Sequence, residues 1–491
     1  MKDYDDATAF LGLWGRFQQI VFFLLSASIF PNGFGAFSLV FVTDTPSHHC
    51  LVPEVNLTQH WHNVIIPKEV VNGKEELSRC SRYRLDVVRN LSAQGFIPGR
   101  DVNLTDLEQE GCVDGWSYST NIYQSTIVSE FDLVCSEQWK QPLTSTVYFL
   151  GVLFGSFFSG QLSDRFGRKP VLFLTMAVQT IFTFAEIFSP SWTVFAILLF
   201  ISGLGQISNY VAAFVLGTEI LTGDVRVLFS SMGVCLGFAF GYMMLPLFAY
   251  FLRDWKSLLL ALSVPGLLYL PLWWFIPESP RWLLSQGRAE EAEAIVRKAA
   301  TKNKVEAPQV IFEDYSVPAD ETKKHPKEHY NVFSLLRTRN IRNTTFTLCL
   351  VWFTLSTGYF ALSLNTSRLH ADPYISCFIS AAVEVPAYIS SWLALRYLPR
   401  RLSVICILLV AGVSLYFIQL VPQSIYFKYL PYLTMGTLAV VSVFSTLFIP
   451  ETFGRPLPET IQQMHKRESI KCPFITRKEH SKDVVLVESQ L

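Results

Sequence analysis

The chain has 491 residues, of which 50% are hydrophobic and only 16% charged, and its mean hydropathy is +0.31. Soluble domains average about 25% charged residues, and the deficit here lies in long apolar runs, the pattern of a chain that crosses a membrane repeatedly. Forty basic residues balance forty acidic ones, so no global positive field points to nucleic acid as a partner.

Residues 1–17 are mostly polar and read as a cytoplasmic N-terminus. The apolar run that follows is too long for the core of a cleavable signal peptide. It forms the first span, 18–42, with Asn32 in mid-span beside Pro31 and Gly33. A hydrophilic loop of 43–142 comes next, then apolar runs at about 143–163, 170–189, 192–216, 227–250 and 255–276. Each approaches the ~20 residues that cross a hydrocarbon core as helix, so 18–276 reads as a six-span half. A polar segment, 277–343, reads as a cytoplasmic central loop; within it, SPRWLLSQGRAEEAEAIVRKAATKN reads as a surface helix with Leu283, Ala292 and Val296 at helical spacing. Spans resume at about 344–364, 373–398, 402–421 and 429–449, a second half of four spans within 344–449, and a polar tail covers 450–491. The expected fold class is an all-α polytopic bundle of ten spans.

Lys and Arg bias sets orientation. The short loop DRFGRKP after the second span holds Arg165, Arg168 and Lys169, and LPRRLS after the eighth holds Arg400 and Arg401. With ten spans, both loops and the tail fall on one side, expected to be cytoplasmic. Both termini are then inside and the 43–142 loop outside. That loop carries three glycosylation sequons, at Asn56, Asn90 and Asn103. It also carries Cys50, Cys80, Cys112 and Cys135, which suggest two disulfides with three possible connectivities. The other cysteines are expected to be reduced packing residues.

Several polar groups stand out in apolar surroundings. Gln206, Asn209 and Tyr210 form a polar patch in the fourth span, and Glu186 and Glu384 are acids within spans. Intramembrane acids are functional candidates by default; Glu186, near an outer end, is expected to reach water, and Glu384, beside Pro386, to couple or gate. The string from Gly160 to Lys169 combines Asp164, Arg165, Gly167 and Arg168 in a tight turn between two helices, where charges can lock neighbouring helix ends in one state and release them in another. His48, His49, His60 and His62 are expected to be solvated in the loop, so no metal and no cofactor are expected. No nucleophile or metal-ligand cluster appears in the spans, so an enzyme is not expected. The C-terminal Ser489–Leu491 fits strand-addition binding to a PDZ domain.

The Gly160–Lys169 string resembles the loop signature between the second and third helices of the major facilitator superfamily. PESPRWL at 277–283, PETFGRPLPET at 450–460 and the cysteine-bearing loop resemble its organic-ion branch. DYDDATAFLG near the start, SASIFPNGF, GQISNYVAAFVLGTEI, LPLFAYFLRDW and VEVPAY resemble the organic cation/carnitine transporter group, over nearly the whole chain.

The resemblance implies two six-helix halves, a substrate at the midplane, alternating access and no covalent chemistry. It implies carriage of carnitine with sodium, and of other organic cations, in the plasma membrane. A quaternary ammonium favours aromatic faces within about 6 Å, and Tyr210, Tyr242, Trp352, Tyr359 and Phe360 are the mid-span candidates. Asn32 is implied in the substrate or sodium path, and Glu219 with Arg226 as a pair near the inner gate. GTEILTGD at 217–224 resembles the group's mimic of a phosphate-binding loop, but lacks the lysine such a loop needs. The chain departs from the group where LYFIQLVPQSIYF runs directly into KYLPYLTMGTL: by resemblance the tenth and eleventh helices are absent, about 50–60 residues at ~20 per span. The eleventh helix carries an arginine in the carnitine group. Two readings follow, a carrier of carnitine and organic cations, or a non-transporting splice form that modulates a full-length carrier.

Overall fold

The computed structural model describes residues 4–53, 57–71, 74–312, 339–364, 372–418, 430–447 and 449. Ten helical segments occupy the ten expected places. In the first, α1 (Arg16–Ala36) runs into a short turn of helix, Leu39–Val42. Then come α2 (Lys140–Phe166), α3 (Arg168–Glu186) and α4 (Trp192–Ile220). The fifth span opens with Gly223–Leu228, passes through a π-helical turn at Phe229–Gly233 and continues as α5 (Val234–Phe251). The sixth, α6 (Trp255–Tyr269), ends in a 3₁₀ turn at Leu270–Trp274. Two shorter helices follow, α7 (Pro280–Ser285) and α8 (Ala289–Asn303). The last four spans are α9 (Arg339–Leu364), α10 (Pro373–Tyr397), α11 (Arg400–Ile418) and α12 (Leu430–Thr446). By length and composition, eight of these among the described residues can cross a membrane. The other two are α3, which has Arg168 and Lys169 in its first turn and Glu186 at its end, and α12, 17 residues long.

The residues between α1 and α2 are not helical only. Six short strands pair antiparallel in twos: β1 (His48–Cys50) with β6 (Trp116–Tyr118), β2 (Lys68–Val71) with β3 (Lys74–Leu77), and β4 (Ser81–Tyr83) with β5 (Gln109–Gly111). The bundle is helical as expected, while this loop domain adds strand structure that the all-α reading omitted. Trp61, Ile65, Tyr83 and Val88 give it a small core. Arg82, fully buried, ties Glu110 and Asp114 to the Leu51 carbonyl.

The chain divides into two compact units, 1–317 with 364–388, and 318–363 with 389–491. In the first, α4 packs on α2 and α3, and α1 packs on α5. Lipid tails are as apolar as leucine, so helices in a membrane associate through close backbone approach rather than hydrophobicity. Gly33 and Gly151 allow that approach: a Cβ would lie 2.0 Å from the Phe238 carbonyl oxygen at Gly33, and 2.1 Å from that of Phe200 at Gly151. In the second unit, Val351, Leu408 and Val443 join α9, α11 and α12, and the hydroxyls of Thr354 and Ser442 hydrogen-bond at 2.7 Å.

The expected surface helix after the sixth span is two packed helices. Gly287, at φ +78°, turns the chain between them. Leu283, Ala292 and Val296 are buried with Tyr4, Leu11 and Phe312, so the N-terminal segment lies on this pair. Asn303 completes the joint, donating to the Leu11 carbonyl and to Gln18 Oε1 and accepting from the Phe17 amide.

Candidate functional site

The polar patch of the fourth span turns inward. Asn32 and Asn209 are both fully buried, and Asn32 Nδ2 donates to Asn209 Oδ1 at 2.9 Å. Gln206 Nε2 donates to the Asn32 carbonyl at 2.6 Å, and Asn209 Nδ2 to the Leu172 carbonyl at 3.0 Å. Tyr148 on α2, which the sequence reading did not single out, donates its hydroxyl to Gln206 Oε1 at 2.5 Å. Three residues expected on the substrate or ion path are therefore brought together, as one hydrogen-bonded network joining α1, α2, α3 and α4.

Beside this network lies a small enclosed cavity of about 30 Å³, lined among others by Tyr148, Gln179, Glu186, Ser202 and Gln206. Glu186 is 2% exposed, so it does not reach water as expected; α4 and α6 close over the end of α3. One oxygen of Glu186 and Gln179 Oε1 have no hydrogen-bond partner among the described residues. The volume exceeds the ~10–15 Å³ that a water or a small ion needs.

A second cluster gathers around Glu384 on α10. Tyr388 donates its hydroxyl to Glu384 Oε2 at 3.0 Å. Cys235 on α5 and Tyr210 on α4 lie close enough to this pair to interact with it electrostatically. Tyr210 is half-buried and Glu384 partly exposed, so the cluster is neither sealed nor fully in water. Tyr388 closes the VEVPAY string, and its i,i+4 spacing from Glu384 was the signal that pointed to it. Of the other aromatics expected to face a cation, Tyr242 is fully buried, its ring 4.3 Å from that of Phe37. Trp352, on α9, is 66% exposed. Tyr359 and Phe360 are half-buried neighbours on α9, their ring centroids 5.3 Å apart.

The acid–base turn is built by Gly167. Its φ of +100° is the left-handed region that favours glycine, and a Cβ there would stand 2.6 Å from Glu278 Oε2. Gly160, by contrast, lies inside α2 with nothing within 4 Å, so it plays no part in the turn. Arg168 is the first residue of α3 and only 8% exposed. It makes a bidentate pair with Glu219, at 2.9 and 3.0 Å, and meets Asp164 at 2.9 Å. The expected pair of Glu219 with Arg226 does not form: Arg226 reaches Asp5 of the N-terminal segment at 2.8 Å. The reason is position, because Glu219 ends α4 on the side facing α3, while Arg226 starts the next span and donates back to the Leu221 carbonyl. Arg165 lies over the Phe166 ring at 5.5 Å.

Glu278, unnoticed within PESPRWL, accepts the backbone N–H groups of Arg168, Lys169 and Ser279, and so caps the start of α3. Burial raises its carboxyl above the usual range, against the pull of those N–H groups. Trp282 adds a bond from Nε1 to the Asp164 carbonyl at 3.0 Å.

In the loop domain the disulfides are Cys50–Cys112 and Cys80–Cys135, one of the three connectivities left open. Asn90 is exposed on the helix Leu85–Ala93, and Asn103 is exposed at the start of a 3₁₀ turn. Asn56, and the terminal Ser489–Leu491, lie outside the described residues.

The bundle and its two polar clusters are those of a multi-pass membrane transporter. The family model for the sugar (and other) transporters matches residues 111–424. Organic cation/carnitine transporter 2 of Rattus norvegicus is 50% identical over 533 residues, covering 96% of this chain and 95% of that protein. Solute carrier family 22 member 4 of Mus musculus is 49% identical over 534 residues, covering 96% of each. Among solved structures, the major facilitator proton:xylose symporter XylE bound to 6-bromo-6-deoxy-D-glucose shares the fold, with a TM-score of 0.51, 13% identity, and coverage of 88% and 82%. The chain belongs to the organic cation/carnitine transporters of the major facilitator superfamily, whose members are membrane transporters rather than enzymes. The rat alignment runs over 533 positions with 96% of 491 residues taking part, so about sixty positions have no counterpart here, close to two spans and their connectors at ~20 residues each.

Proposed function

We propose that the chain carries carnitine and other small organic cations across the plasma membrane by alternating access, with sodium as the coupling ion for carnitine. The observation that supports this most is the Glu384–Tyr388 pair with Tyr210 beside it. A carboxylate bordered by tyrosine rings suits a quaternary ammonium, which cannot donate hydrogen bonds and is held by charge and π-faces. The half identity to organic cation/carnitine transporter 2 supports the same substrate class. For sodium, the support is the Glu186 cavity, whose carboxylate, amide and hydroxyl oxygens are hard-cation ligands. Both termini are cytoplasmic and the loop domain is extracellular, glycosylated at Asn56, Asn90 and Asn103. The tail ending in Ser489–Leu491 recruits a PDZ domain. Asp164, Arg165, Gly167, Arg168 and Glu219 form the inner gate, with Arg226 holding the N-terminal segment to it.

Uptake of labelled carnitine and tetraethylammonium by sealed vesicles carrying the chain tests this. Glu384→Gln should lower the uptake of both at least tenfold, and Glu186→Gln should remove the sodium dependence of carnitine uptake alone. Full tetraethylammonium uptake by Glu384→Gln would refute the cation seat.

A second reading has its own support. The family match ends at residue 424, where the ninth and last spans meet by resemblance, and about sixty positions of the relatives lack a counterpart. In this reading the chain does not transport and instead modulates a full-length carrier. Vesicles with no uptake, together with co-purification of the chain with a full-length relative, would favour it.

A further inference from the structure

The start of α10 is gripped by residues of other elements. Asp372, just before the helix, accepts the Tyr374 and Ile375 backbone N–H groups at 2.9 and 3.3 Å and so fixes the first turn. Tyr374 enters a socket, where it is 7% exposed. Its ring stacks on Phe41 at the end of the first span, with centroids 5.4 Å apart and planes at 10°. Tyr250 at the end of α5 meets it edge-on at 5.6 Å, and Tyr123 of the loop domain lies 6.1 Å away. Its hydroxyl donates to the Ile122 carbonyl, again in the loop domain, at 2.9 Å.

The loop-domain side of this socket has its own anchors. The Gln124 N–H donates to the Arg253 carbonyl at 2.9 Å, the Ser125 hydroxyl to Asp254, and Arg253 Nη1 to the Asn121 carbonyl at 3.3 Å. These ties join 121–125 to the turn between α5 and α6 without passing through Tyr374. Below the socket α10 is jointed. Pro386 lies inside the helix, where a proline removes a backbone hydrogen bond and bends the chain. The two compact units divide close to it, 364–388 belonging to the first and 389–491 to the second. Glu384 lies between socket and joint, ten residues beyond Tyr374, or about 15 Å along the helix.

We propose that Tyr374 is the closing residue of an outer gate clasped by the loop domain at 121–125, and that its withdrawal swings the start of α10 about Pro386 and opens the Glu384 cluster to the side that carries the loop domain. The loop domain is then the keeper of the gate. One neutral hydrogen bond and a set of ring contacts make a hold firm enough to close and weak enough to reopen, which a buried ion pair does not. That the gate serves a passing cation rests on the proposed transport and topology; the clasp itself does not require that the chain transports.

The test reads access, not uptake. Cys235 on α5 is a native reporter, close enough to Glu384 to interact with it. Intact cells expressing the full chain, and inside-out vesicles made from them, are treated with a membrane-impermeant methanethiosulfonate bearing a trimethylammonium group, and the labelled Cys235 peptide is quantified over time. The labelling rate follows the fraction of chains that are open to the treated side. From the cell exterior, Tyr374→Phe should label about fivefold faster than the unaltered chain, the population shift for one lost hydrogen bond, and Tyr374→Ala at least about tenfold faster, since the ring contacts go too. From the vesicle face neither variant should label faster. An unchanged exterior rate in Tyr374→Ala overturns the gate, and so does a rise on both faces, because general loosening of the bundle does not choose a side. A Tyr374→Phe chain that labels no faster than the unaltered one overturns the loop-domain clasp. A rise on the vesicle face alone supports the clasp and reverses the proposed topology instead. A chain that carries nothing still yields these rates, so failure of the gate and failure of transport are separate results.

Discussion

Glu219→Ala is the sharpest probe of the charge network at the ends of α3 and α4. Arg168 is 8% exposed and gives two hydrogen bonds to Glu219, at 2.9 and 3.0 Å. Removing one partner of a buried ion pair costs about 3–5 kcal/mol, because the remaining charge is left desolvated. Here Arg168 keeps Asp164, which is 75% exposed, and the Ser163 carbonyl at 2.9 Å. The lower end, about 3 kcal/mol, therefore applies, equivalent to a fall of about 4 °C in midpoint for a unit of this size at ~2.1 cal/mol/K per residue. Arg226→Ala removes a pair with Asp5 whose side chains are 27% and 31% exposed, worth at most about 1 kcal/mol. The assay is a double-mutant cycle on the purified chain, with midpoints read from the monodisperse peak after heating. Arg168 and Glu219 should couple by about 2 kcal/mol, whereas Arg226 and Glu219 should be additive within about 0.5 kcal/mol. A Glu219–Arg226 coupling as large as that of Arg168 would refute the pairing and restore the one expected from sequence.

Other outcomes follow from the same geometry. Gly167→Ala should lower stability by about 1–3 kcal/mol, since alanine at φ +100° is strained and its Cβ meets Glu278, while Gly160→Ala in open space should be neutral or gain up to ~1 kcal/mol; equal effects in a thermal melt would refute the turn assignment. Replacing Cys80 and Cys135 together by serine should cost about 2–5 kcal/mol and leave Cys50 joined to Cys112 on peptide mapping, and a Cys50–Cys80 peptide from the unaltered chain would contradict the connectivity. Burial raises the folded-state titration of Glu278 above its unfolded value, so the folded state binds this proton more tightly. Its contribution must therefore grow as pH falls toward the unfolded value and diminish as pH rises through the folded one. Glu278→Gln should flatten this part of the midpoint–pH profile, and an unchanged profile would remove Glu278 as its source.

The spans were legible because twenty apolar residues in a row have few other fates. The ten helices fall within a few residues of the expected places, and α12, at 17 residues, is among them. What sequence could not supply was direction. Glu186 and Gln206 are polar residues in apolar runs whichever way they face, and only the packing of α4 on α2 and α3 turns both toward one cavity. Charge pairing failed for a related reason. Glu219 and Arg226 are close in sequence, but the extended break at Leu221 and Thr222 separates their helices, leaving Glu219 to an arginine 51 residues earlier. The disulfide connectivity was open because four cysteines in one loop satisfy spacing rules in every arrangement.

The four-span half also bears on which functional reading survives. Two helices removed from a bundle would ordinarily leave the remaining neighbours with surfaces shaped for absent partners. Instead, α11 and α12, separated by a short connection, pack on each other through small residues: a Cβ at Gly412 would meet that of Ala439 at 3.3 Å, and one at Gly436 the Tyr416 ring at 3.2 Å. Helix association in lipid depends on such close approach and on polar contacts across helices, and the Thr354–Ser442 bond to α9 supplies the latter. The second unit therefore has its own reasons to hold together. Two spans lost together would leave the side of every later loop unchanged. The question of transport then narrows to chemistry. The first unit with the start of α10 carries the polar network, the Glu186 cavity and the Glu384 cluster, while the arginine that the resemblance assigns to the eleventh helix has no counterpart. A carnitine zwitterion needs a partner for its carboxylate as well as its ammonium, whereas a simple organic cation needs only the latter. Carnitine and tetraethylammonium uptake measured side by side therefore test the proposal at two points: uptake of both supports it, tetraethylammonium uptake alone means that the zwitterion's carboxylate lacks its partner, and uptake of neither means that transport is lost.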